Sequence, residues 1–542
     1  MRVEQADVVV VGSGLAGISA AIEASRAGAR VALLTTGTLC GGSSFSSHTW
    51  GLGMVTPLDT AVERRHAPGS LAAAMQEVGA HQNKPELVDA LMEDGTAAVA
   101  FLESLSATVS EPAEPSQREY VPCFDTRVRG WHGFHARDSR EALKRAVRAA
   151  EGVTIFEHTH ALSLVQPGGA GKAICGVLAW RGTGEQDARG MDGRVTRDAG
   201  ELLRVEAPAV VLATGGLAST FAHSFGGEGW LAAAMAYDAG AAFTNLEFLQ
   251  LMMAFASHPR GAICNEKLWR YASVVDEEGV SVFARAGIAE EGERAALEAH
   301  SWHGPFTTAR ESRLLELAVQ AAEAEGYRAY LRLSHDFLAG EHPEFVDTYL
   351  AWLSGLGCDP EEPAQITLYA HSSNGGIAID ACGATAVPGL FAAGECAGGV
   401  HGADRIGGLA SVSALVFGRR AGVAAARFAR AHRAPVGEAR LTSPYVPVDD
   451  AACVEREVGV LMDAHCLVNR TEEGLRTVLG GLDGLARAHC GAATRLDDAV
   501  GPQVVCEAYR ARGKLVAARL LAEAMLRRGE SCGSHHRADA QG

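Results

Sequence analysis

The sequence predicts an α/β protein built around a Rossmann-like parallel sheet, because three short apolar strands each end at glycine. The first, Asp7–Val11, leads directly into the Gly-rich segment Gly12–Gly17. The second, Ala209–Ala213, ends at Thr214-Gly215-Gly216, and the third, Gly389–Ala393, ends at Gly394-Glu395. Such endings are expected where the carboxyl edge of a parallel sheet faces a ligand.

The first strand opens a β–turn–α–β unit of the kind that binds dinucleotides. Gly12–Gly17 has the G-x-G-x-x-G pattern, an Ala-rich helix follows to about Ala27, and a second strand covers Arg30–Leu34. The tight turn aims backbone N–H groups and a helix N-terminus at a pyrophosphate. The acidic residue that usually holds a ribose after the second strand is absent. Thr35 and Thr36 stand there, and a hydroxyl makes that contact less strongly.

At 542 residues the chain is too long for one hydrophobic core. We divide it into a dinucleotide-binding domain in two parts, 1–247 and 356–435, an inserted α+β capping domain, 248–355, and a C-terminal helical domain, 436–542.

The C-terminal region is Ala- and Leu-rich at 452–468, 471–488 and 503–528, which predicts a helical bundle. The charged, Gly-rich stretch 181–200 predicts a surface loop or hairpin.

Composition restricts the class of protein. A hydrophobic fraction of 47% and a charged fraction of 21% are those of a globular enzyme. The formal net charge of −17 argues against nucleic acid or an anionic membrane as partner. No apolar run approaches the roughly 18 residues of a spanning helix, and Val8–Val11 lacks the basic leader of a signal peptide. We therefore expect a cytoplasmic protein.

The sequence predicts no metal site. Twelve cysteines are present and none forms a C-x-x-C pair, which is the usual sign of a zinc ribbon, an iron–sulfur cluster or a c-type haem. His132 and His135 have i,i+3 spacing without a convincing third ligand, whereas zinc sites need three or four.

Two histidines and an arginine lie among glycines in the second half of the chain. They are His371, in His371–Gly376, and His401 and Arg405, in His401–Arg405. Glycine lets the backbone approach a ligand closely, and arginine presents a planar fork of donors that matches a carboxylate. The pattern indicates a buried site for an organic acid.

Several longer motifs resemble those of a known protein family. Val210–Gly216 is similar to an A-T-G-G element, and 227–229 to a G-D-G element with Glu228 as its acidic residue. Gly389–Glu395 is similar to P-G-L-Y-A-x-G-E, and Gly398–Gly408 to G-G-V-H-G-x-N-R-L-G-G. On these elements the chain resembles the flavoprotein family of succinate dehydrogenase, fumarate reductase and L-aspartate oxidase.

Two further details belong to this resemblance. Asp404 replaces the asparagine of the last motif, and the tail Glu530–His535 is similar to the R-E-S-R-G-A-H ending of dehydrogenase flavoprotein subunits. The family fold is a Rossmann-like FAD-binding domain with an inserted capping domain and a C-terminal helical domain.

The resemblance implies FAD as cofactor and hydride transfer at flavin N5. In it, His371 and Arg405 grip a substrate carboxylate, and Arg310 donates or accepts the proton. Arginine has a pKa above about 12, so this role requires a relay or a destabilised cation. His401 is expected to be structural or to back the flavin. The expected cofactor-binding residues are Gly12, Gly14, Gly17, Thr35, Gly42, Ser43, Ser44, Thr214, Gly215, Glu228, Glu395, Gly407 and Gly408.

The chain departs from the family where a second carboxylate is usually held. The family's H-P-T-G element is replaced here, and Met252 occupies the histidine position. Of the next element only Glu266 is kept, preceded by Asn265. We therefore expect a substrate with one carboxylate and a less charged or bulkier second end, contacted by Met252, Asn265 and Glu266. Lys267, Arg270 or His258 is the alternative source of a replacement cation.

The flavin is expected to bind non-covalently. An ungapped match to the covalent attachment motif places Phe45 at the histidine position, whereas a gapped match would use His48 and Thr49. In L-aspartate oxidases a glutamate reads the substrate amine, and a loose alignment places Val128 there.

Three functions follow from the sequence. The first is an FAD-dependent reductase or dehydrogenase of a carboxylate-bearing small molecule. The second is an amino-acid oxidase of the L-aspartate type. The third is the flavoprotein subunit of an electron-transfer complex with an iron–sulfur partner.

Overall fold

The computed structural model combines a parallel sheet, an antiparallel capping sheet and a set of C-terminal helices. The structure describes residues 1–46, 51–58, 67–168, 173–182, 200–226, 228–432, 439–496 and 501–540. His48, Thr49, Gly227 and most of the predicted loop 181–200 lie outside the described residues.

The strands of the described chain are numbered in chain order. They are β1 Arg2–Gln5, β2 Val8–Val11, β3 Val31–Leu34, β4 Leu52–Thr56, β5 Val109–Ser110, β6 Gly130–Phe134, β7 Val153–Phe156, β8 Thr159–Pro167, β9 Gly176–Arg181, β10 Glu201–Glu206, β11 Ala209–Leu212, β12 Phe243–Thr244, β13 Leu249–Phe255, β14 Ala272–Val275, β15 Ala329–Leu333, β16 Ala364–Ser373, β17 Gly376–Ala378, β18 Leu390–Ala392, β19 Ala397–Gly398 and β20 Ala439–Leu441.

The helices are numbered in the same way. They are α1 Leu15–Arg26, α2 Leu71–Val78, α3 Pro85–Ser104, α4 Ala136–Ala149, α5 Gly229–Asp238, α6 Val282–Arg285, α7 Glu290–His300, α8 Arg313–Ala324, α9 His335–Leu338, α10 Glu344–Gly355, α11 Leu409–Ala431, α12 Ala451–Cys466, α13 Glu472–His489 and α14 Pro502–Arg527.

The central sheet is parallel and has the order β18-β11-β2-β3-β7. All four residues of β2 are buried valines, as expected for a sheet covered on both faces. β2, β11 and β18 are the three predicted strands that end at glycine, each one or two residues shorter than predicted. They are neighbours in the sheet, so their carboxyl ends meet at one edge.

Helix α11 packs closely against α1 beneath this edge. A Cβ atom on Gly418 would lie 2.5 Å from the Ala16 carbonyl oxygen, and one on Gly422 would lie 2.3 Å from that of Ala20. Within the described residues, α11 is the helix long and apolar enough to cross a membrane, and 67% of its apolar window is buried in the protein. Its burial is that of a core helix.

The capping region contains the sheet β13-β16-β15-β14, in which the neighbouring strands are antiparallel. All seven residues of β13 are buried, and this strand carries Gln250 and Met252 towards the cleft described below. The predicted helices of the C-terminal region appear as α12, α13 and α14. Their apolar faces share one hydrophobic core with the capping sheet.

A buried arginine fastens the C-terminal tail to the sheet that leads into the cleft. Arg470 has no solvent exposure and donates to the Glu247 carbonyl oxygen at 2.9 Å. Its guanidinium also contacts Nδ1 of His535 at 2.7 Å. Burial lowers the pKa of Arg470 to about 10. The tail therefore packs against the segment just before β13.

Candidate active site

A cleft of about 670 Å³ runs from the carboxyl edge of the parallel sheet to the capping sheet. One part is lined by the Gly-rich turn after β2 and by the segments after β3 and β11. The other part is lined by side chains of β13, β16 and the loop that precedes α11. The cleft therefore joins the predicted dinucleotide site to the predicted substrate site.

The three glycines of the first motif have different structural roles. Gly12 has φ +106°, and a Cβ there would lie 2.2 Å from the Ala213 carbonyl oxygen. A Cβ on Gly17 would lie 1.9 Å from the Gly12 carbonyl oxygen, so Gly17 lets α1 pack on the turn and does not line the cleft. Gly14 lines the cleft, and a Cβ there would meet no protein atom closer than 3.4 Å. The space above Gly14 is open to a ligand.

The predicted contacts around this turn also line the cleft. Thr35 Oγ1 and Ser13 Oγ are 2.8 Å apart, and Ser44 Oγ accepts a hydrogen bond from the backbone N–H of Leu15 at 3.3 Å. Gly42 and Ser43 lie beside them. A hydroxyl network therefore borders the start of α1, where an anionic phosphate group is favoured.

Thr214 and Gly215 follow β11 and line the same part of the cleft. The Thr214 hydroxyl is buried and, in the described part of the chain, makes no hydrogen bond. Gly215 has φ +85°, and a Cβ there would meet nothing within 4 Å. A buried orphan hydroxyl beside an open glycine turn fits a polar ligand such as FAD.

Glu228 and Glu395 are two of the acidic residues that line the cleft. Glu228 is ion-paired with Arg510 of α14 at 2.8 Å and lies 3.2 Å from Nδ1 of His160. Burial raises the pKa of Glu395, although its carboxylate accepts a hydrogen bond from the Ser373 N–H at 2.9 Å. Glu228 thus links the cofactor end of the cleft to the C-terminal helices.

Phe45 lines the cleft at the position that the ungapped match gives to covalent attachment. Its ring makes an edge contact with Phe134, with centroids 6.1 Å apart, and the Arg140 guanidinium lies 5.7 Å from its centroid. A phenyl ring cannot form the link to a flavin.

His371 and Arg405 come together at the junction of the two parts of the cleft. His371 lies in β16, and Arg405 lies in the loop between β19 and α11. Arg405 donates from Nε and Nη2 to Oε1 of Gln250, at 3.1 and 2.7 Å. Gln250 therefore holds one edge of the guanidinium.

The electrostatics at this junction favour an anion. Burial, and then the charge of Arg405, lowers the pKa of His371 to about 3, so its imidazole is neutral near pH 7. The His371 Nδ1 atom is buried without a hydrogen-bond partner among the described residues. Burial also lowers the pKa of Arg405, against the opposing charge of Glu395. An incoming carboxylate would give both side chains a partner.

The opposite end of the substrate part is lined by the apolar Met252 and by Glu266. Glu119, which also lines the cleft, is hydrogen-bonded to Arg270. Met252 lies two residues beyond Gln250 on β13, about 7 Å along the strand. Its methyl group would lie 2.6 Å from a Cβ on Gly304. Glu266 also lines the cleft and accepts a hydrogen bond from the Cys123 thiol at 3.1 Å.

None of the three alternative cations lines this end of the cleft. Lys267 is buried and donates to the Val121 carbonyl oxygen at 3.3 Å. Arg270 is hydrogen-bonded to Glu119, and His258 is exposed with its ring against the Leu356 carbonyl oxygen. These contacts leave the far end without a positive charge from these residues.

Two other expected site residues lie outside the cleft, as does His401, which we expect to be structural or to back the flavin. Asn265 is buried and caps the turn Glu266–Tyr271 by accepting from the Lys267 N–H at 2.8 Å. Arg310 is exposed at the segment before α8. His401 has Nδ1 buried without a partner in the described chain, and burial, then Arg405, lowers its pKa well below the ordinary value.

Sequence reasoning missed several residues that line the cleft. Gln250 could have been found, because it and Met252 lie two apart on a strand and such residues share a face. Cys123, Trp131 and Phe345 reach the cleft from separate loops and elements. Their sequence neighbourhoods contain no signal for this position.

The sequence matches two family models. One, described as "FAD binding domain", covers residues 7–410, and the other, "Fumarate reductase flavoprotein C-term", covers residues 455–542. L-aspartate oxidase of Caulobacter vibrioides is 30% identical over 98% of this chain and 93% of its own length. One subunit of the fumarate reductase (CoM/CoB) of Methanothermobacter marburgensis is 28% identical over 99% of this chain and 94% of its own length.

Solved structures share the fold. A quinol–fumarate reductase with menaquinol molecules superposes with a TM-score of 0.74 at 21% identity, covering 99% of this chain and 93% of its own. The Mycobacterium smegmatis Sdh1 complex in the apo form gives 0.73 at 23% identity, covering 99% and 89%. The predicted fold class is confirmed.

Proposed function

We propose a function from the premise that this chain belongs to the FAD-dependent oxidoreductase family of the fumarate reductase, succinate dehydrogenase and L-aspartate oxidase flavoproteins. The proposed reaction is hydride transfer between flavin N5 and a carbon of an acid that the protein holds by one carboxylate. Gly12, Gly14, Thr35 and Thr214 would hold FAD, and the proposal is that it binds non-covalently, in line with Phe45 at the attachment position. The protein is cytoplasmic in this proposal.

The observation that carries the proposal is the convergence of His371 and Arg405 at the junction of the two parts of the cleft, which is one end of the substrate part. A guanidinium held on one edge by Gln250 keeps its remaining donors for a ligand, and a neutral imidazole adds another. Both groups are preorganised, so an acid binds without first breaking an ion pair with the protein. The carboxylate fixes one end of the substrate.

The other end of the cleft selects against a second carboxylate. Met252 offers a methyl group, and Glu266 offers a negative charge. A second carboxylate buried there without a partner would cost several kcal/mol. The proposed substrate is therefore a small monocarboxylate whose far end is apolar or carries a hydrogen-bond donor for Glu266.

Arg310 remains the proposed proton donor or acceptor. It is exposed in this structure, so the role requires the Arg310 side chain to turn from solvent towards the cleft. Replacing Arg310 by Ala should abolish turnover while FAD stays bound. Retained turnover would remove Arg310 from the mechanism.

Two other functions have specific support. An amino-acid oxidase is supported by the L-aspartate oxidase relatives, although Val128 is 39% exposed and does not line the cleft. A role as a subunit beside an iron–sulfur partner is supported by the C-terminal match at 455–542 and by fold neighbours that are complexes. Peroxide formation with a panel of amino acids tests the first, and viologen-linked turnover of the purified chain tests the second.

The direct test is a binding series on the FAD-loaded protein, followed by the flavin absorbance spectrum. Butyrate, 4-hydroxybutyrate and succinate have the same four-carbon length and differ at the far end only. We expect both monocarboxylates to bind at least tenfold more tightly than succinate. Tighter binding of succinate would contradict the proposed substrate class, and no binding of any acid would contradict the carboxylate grip.

A further inference from the structure

The segment before α8 is fastened to the loop that carries Arg405 and to the C-terminal tail. Thr307 Oγ1 donates to Oδ2 of Asp404 at 2.7 Å. The N–H and the hydroxyl of Thr308 both donate to the Gly533 carbonyl oxygen, at 2.9 and 3.0 Å. The backbone that leads to Arg310 is therefore held two to three residues before the arginine.

Asp404 is a buried acid, and one of its two carboxyl oxygens makes no hydrogen bond within the described chain. The residue is 4% exposed, and its Oδ1 atom has no hydrogen-bond partner in the described chain. Burial raises the pKa of Asp404 to about 8, while the Thr307 hydrogen bond and the charge of Arg310 act in the opposite direction. Near neutral pH the group is largely protonated.

Arg310 carries the positive charge that would complement an ionised Asp404. Its side chain is exposed, and among the described residues its guanidinium makes no hydrogen bond or ion pair. The charge of Arg310 acts on Asp404 and on His303, which lies earlier in the same connection. From the tail, Cys532 also faces Asp404, and the negative charge of Asp404 contributes to raising the pKa of that thiol. Arg310 is the cation acting on Asp404 from the capping side.

We propose that Asp404 is a positioning residue for Arg310. In its ionised form, the free Oδ1 accepts a hydrogen bond from the Arg310 guanidinium and draws that side chain from solvent onto the loop that bears Arg405. Ionisation breaks the O–H bond of the Asp404 carboxyl group and releases that proton to solvent, and no other covalent bond changes. The inference rests on the proton-handling role proposed above for Arg310.

The geometry gives this pair a specific consequence. Asp404 and Arg405 are adjacent in the chain. The Asp404 side chain is hydrogen-bonded to Thr307, in the segment before α8, and the Arg405 side chain is hydrogen-bonded to Gln250 in the cleft. Pairing Arg310 with Asp404 fixes the proton-handling arginine relative to the carboxylate grip. An asparagine at 404 could accept from Thr307 but could not carry the charge that attracts Arg310.

The test is residue-resolved labelling of arginine with phenylglyoxal in the FAD-loaded protein, read by peptide mass spectrometry. Arg527, whose side chain is 68% exposed, is the internal reference for the reagent's own pH dependence. In the unmodified chain we expect the labelling ratio Arg310/Arg527 to fall severalfold between pH 6.5 and 9.5. In Asp404→Asn the ratio should stay constant.

A second variant separates the charge from the hydrogen bond. Thr307→Val keeps the Asp404 carboxyl and removes its donor, so the fall should remain but move to higher pH. A ratio that does not change with pH in the unmodified chain, or that falls equally in Asp404→Asn, would overturn the inference. The flavin spectrum and the melting temperature report whether each variant is folded.

Labelling needs no substrate, so it is independent of the proposed reaction. Turnover is followed separately, as oxidation of dithionite-reduced flavoprotein by crotonate. At pH 9.5, where Asp404 is ionised, Asp404→Asn should lower the maximal rate at least tenfold with little change in the half-saturating concentration of crotonate. Normal turnover by Arg310→Ala would refute the proton-handling role alone, whereas labelling of the unmodified chain that does not follow Asp404 would refute the pairing of Arg310 with Asp404.

Discussion

Replacing Arg405 by Met tests the carboxylate grip most directly. The substitution keeps an unbranched side chain and removes the charge and both hydrogen bonds to Gln250. Truncating one partner of a buried charge pair costs about 2–5 kcal/mol. At about 1.4 kcal/mol per factor of ten, the Kd of butyrate should rise by a factor of about 30 to several thousand.

The same substitution has a structural cost that must be separated from binding. Arg405→Met leaves Oε1 of Gln250 buried without a donor, which costs about 1–3 kcal/mol of stability. Gln250→Leu should remove that penalty, because the Nε2 atom of Gln250 is already buried without a partner in the described chain. The double variant Arg405→Met with Gln250→Leu is expected to recover the melting temperature but not butyrate binding.

The assay is titration of the FAD-loaded variants with butyrate, followed by flavin difference absorbance. Arg313→Met is the matched control, because Arg313 pairs with Glu311 at 3.3 Å outside the cleft. Its Kd should equal that of the unmodified chain. A change of less than about threefold in Arg405→Met would refute the reasoning, as would recovery of binding in the double variant.

Three further predictions concern the cofactor turn, the far end of the cleft and pH. Gly14→Ala should weaken FAD retention and leave the melting temperature of the FAD-free protein within a few degrees. Gly12→Ala should destabilise the FAD-free protein itself, because its Cβ would lie 2.2 Å from a backbone oxygen. Equal melting temperatures of the two FAD-free variants would contradict this prediction. Met252→His should tighten succinate at least tenfold relative to butyrate, and unchanged selectivity in the flavin titration would contradict the assignment of the far end. The folded-state pKa of Asp404, about 8, is raised above its unfolded value, so this carboxyl destabilises the fold increasingly from about pH 4 to pH 8. Asp404→Asn should therefore gain stability over the unmodified chain across that window, by at most about 1.4 kcal/mol per pH unit in thermal melts, and a pH-independent difference would contradict the burial of an acid at 404.

Local chemistry made the cofactor turn predictable from sequence. Gly12 needs a positive φ and Gly17 needs the absence of a Cβ, and both requirements arise within six residues of the chain. The strand ends before Thr214 and Glu395 were predictable for a similar reason, because a short apolar run that stops at glycine is a local signal. The parallel sheet then places these ends at one edge.

Residues whose position depends on distant partners were not predictable in this way. Asn265 has a residue type suited to a ligand, but its carbonyl oxygen caps the turn that follows it. Cys123 reaches the cleft because its loop packs against Gly407, where a Cβ would lie 3.1 Å from the Cys123 Cβ. The exposure of Arg310 depends on the arrangement of the segment before α8, which no local pattern encodes.

In the proposed function, the asymmetry of charge in the cleft also determines how an acid binds. Arg405 attracts a carboxylate at one end, whereas Glu266 at the other end repels it, so the reversed orientation loses an attraction and gains a repulsion. A symmetric diacid would need cations at both ends, and Met252 provides none. Attraction of the substrate carboxylate by Arg405 and its repulsion by the Glu266 carboxylate together give the substrate a single orientation. The methyl group of Met252, which lies against Gly304, then limits how far the substrate extends. The same residues therefore select both the length of the substrate and the polarity of its far end.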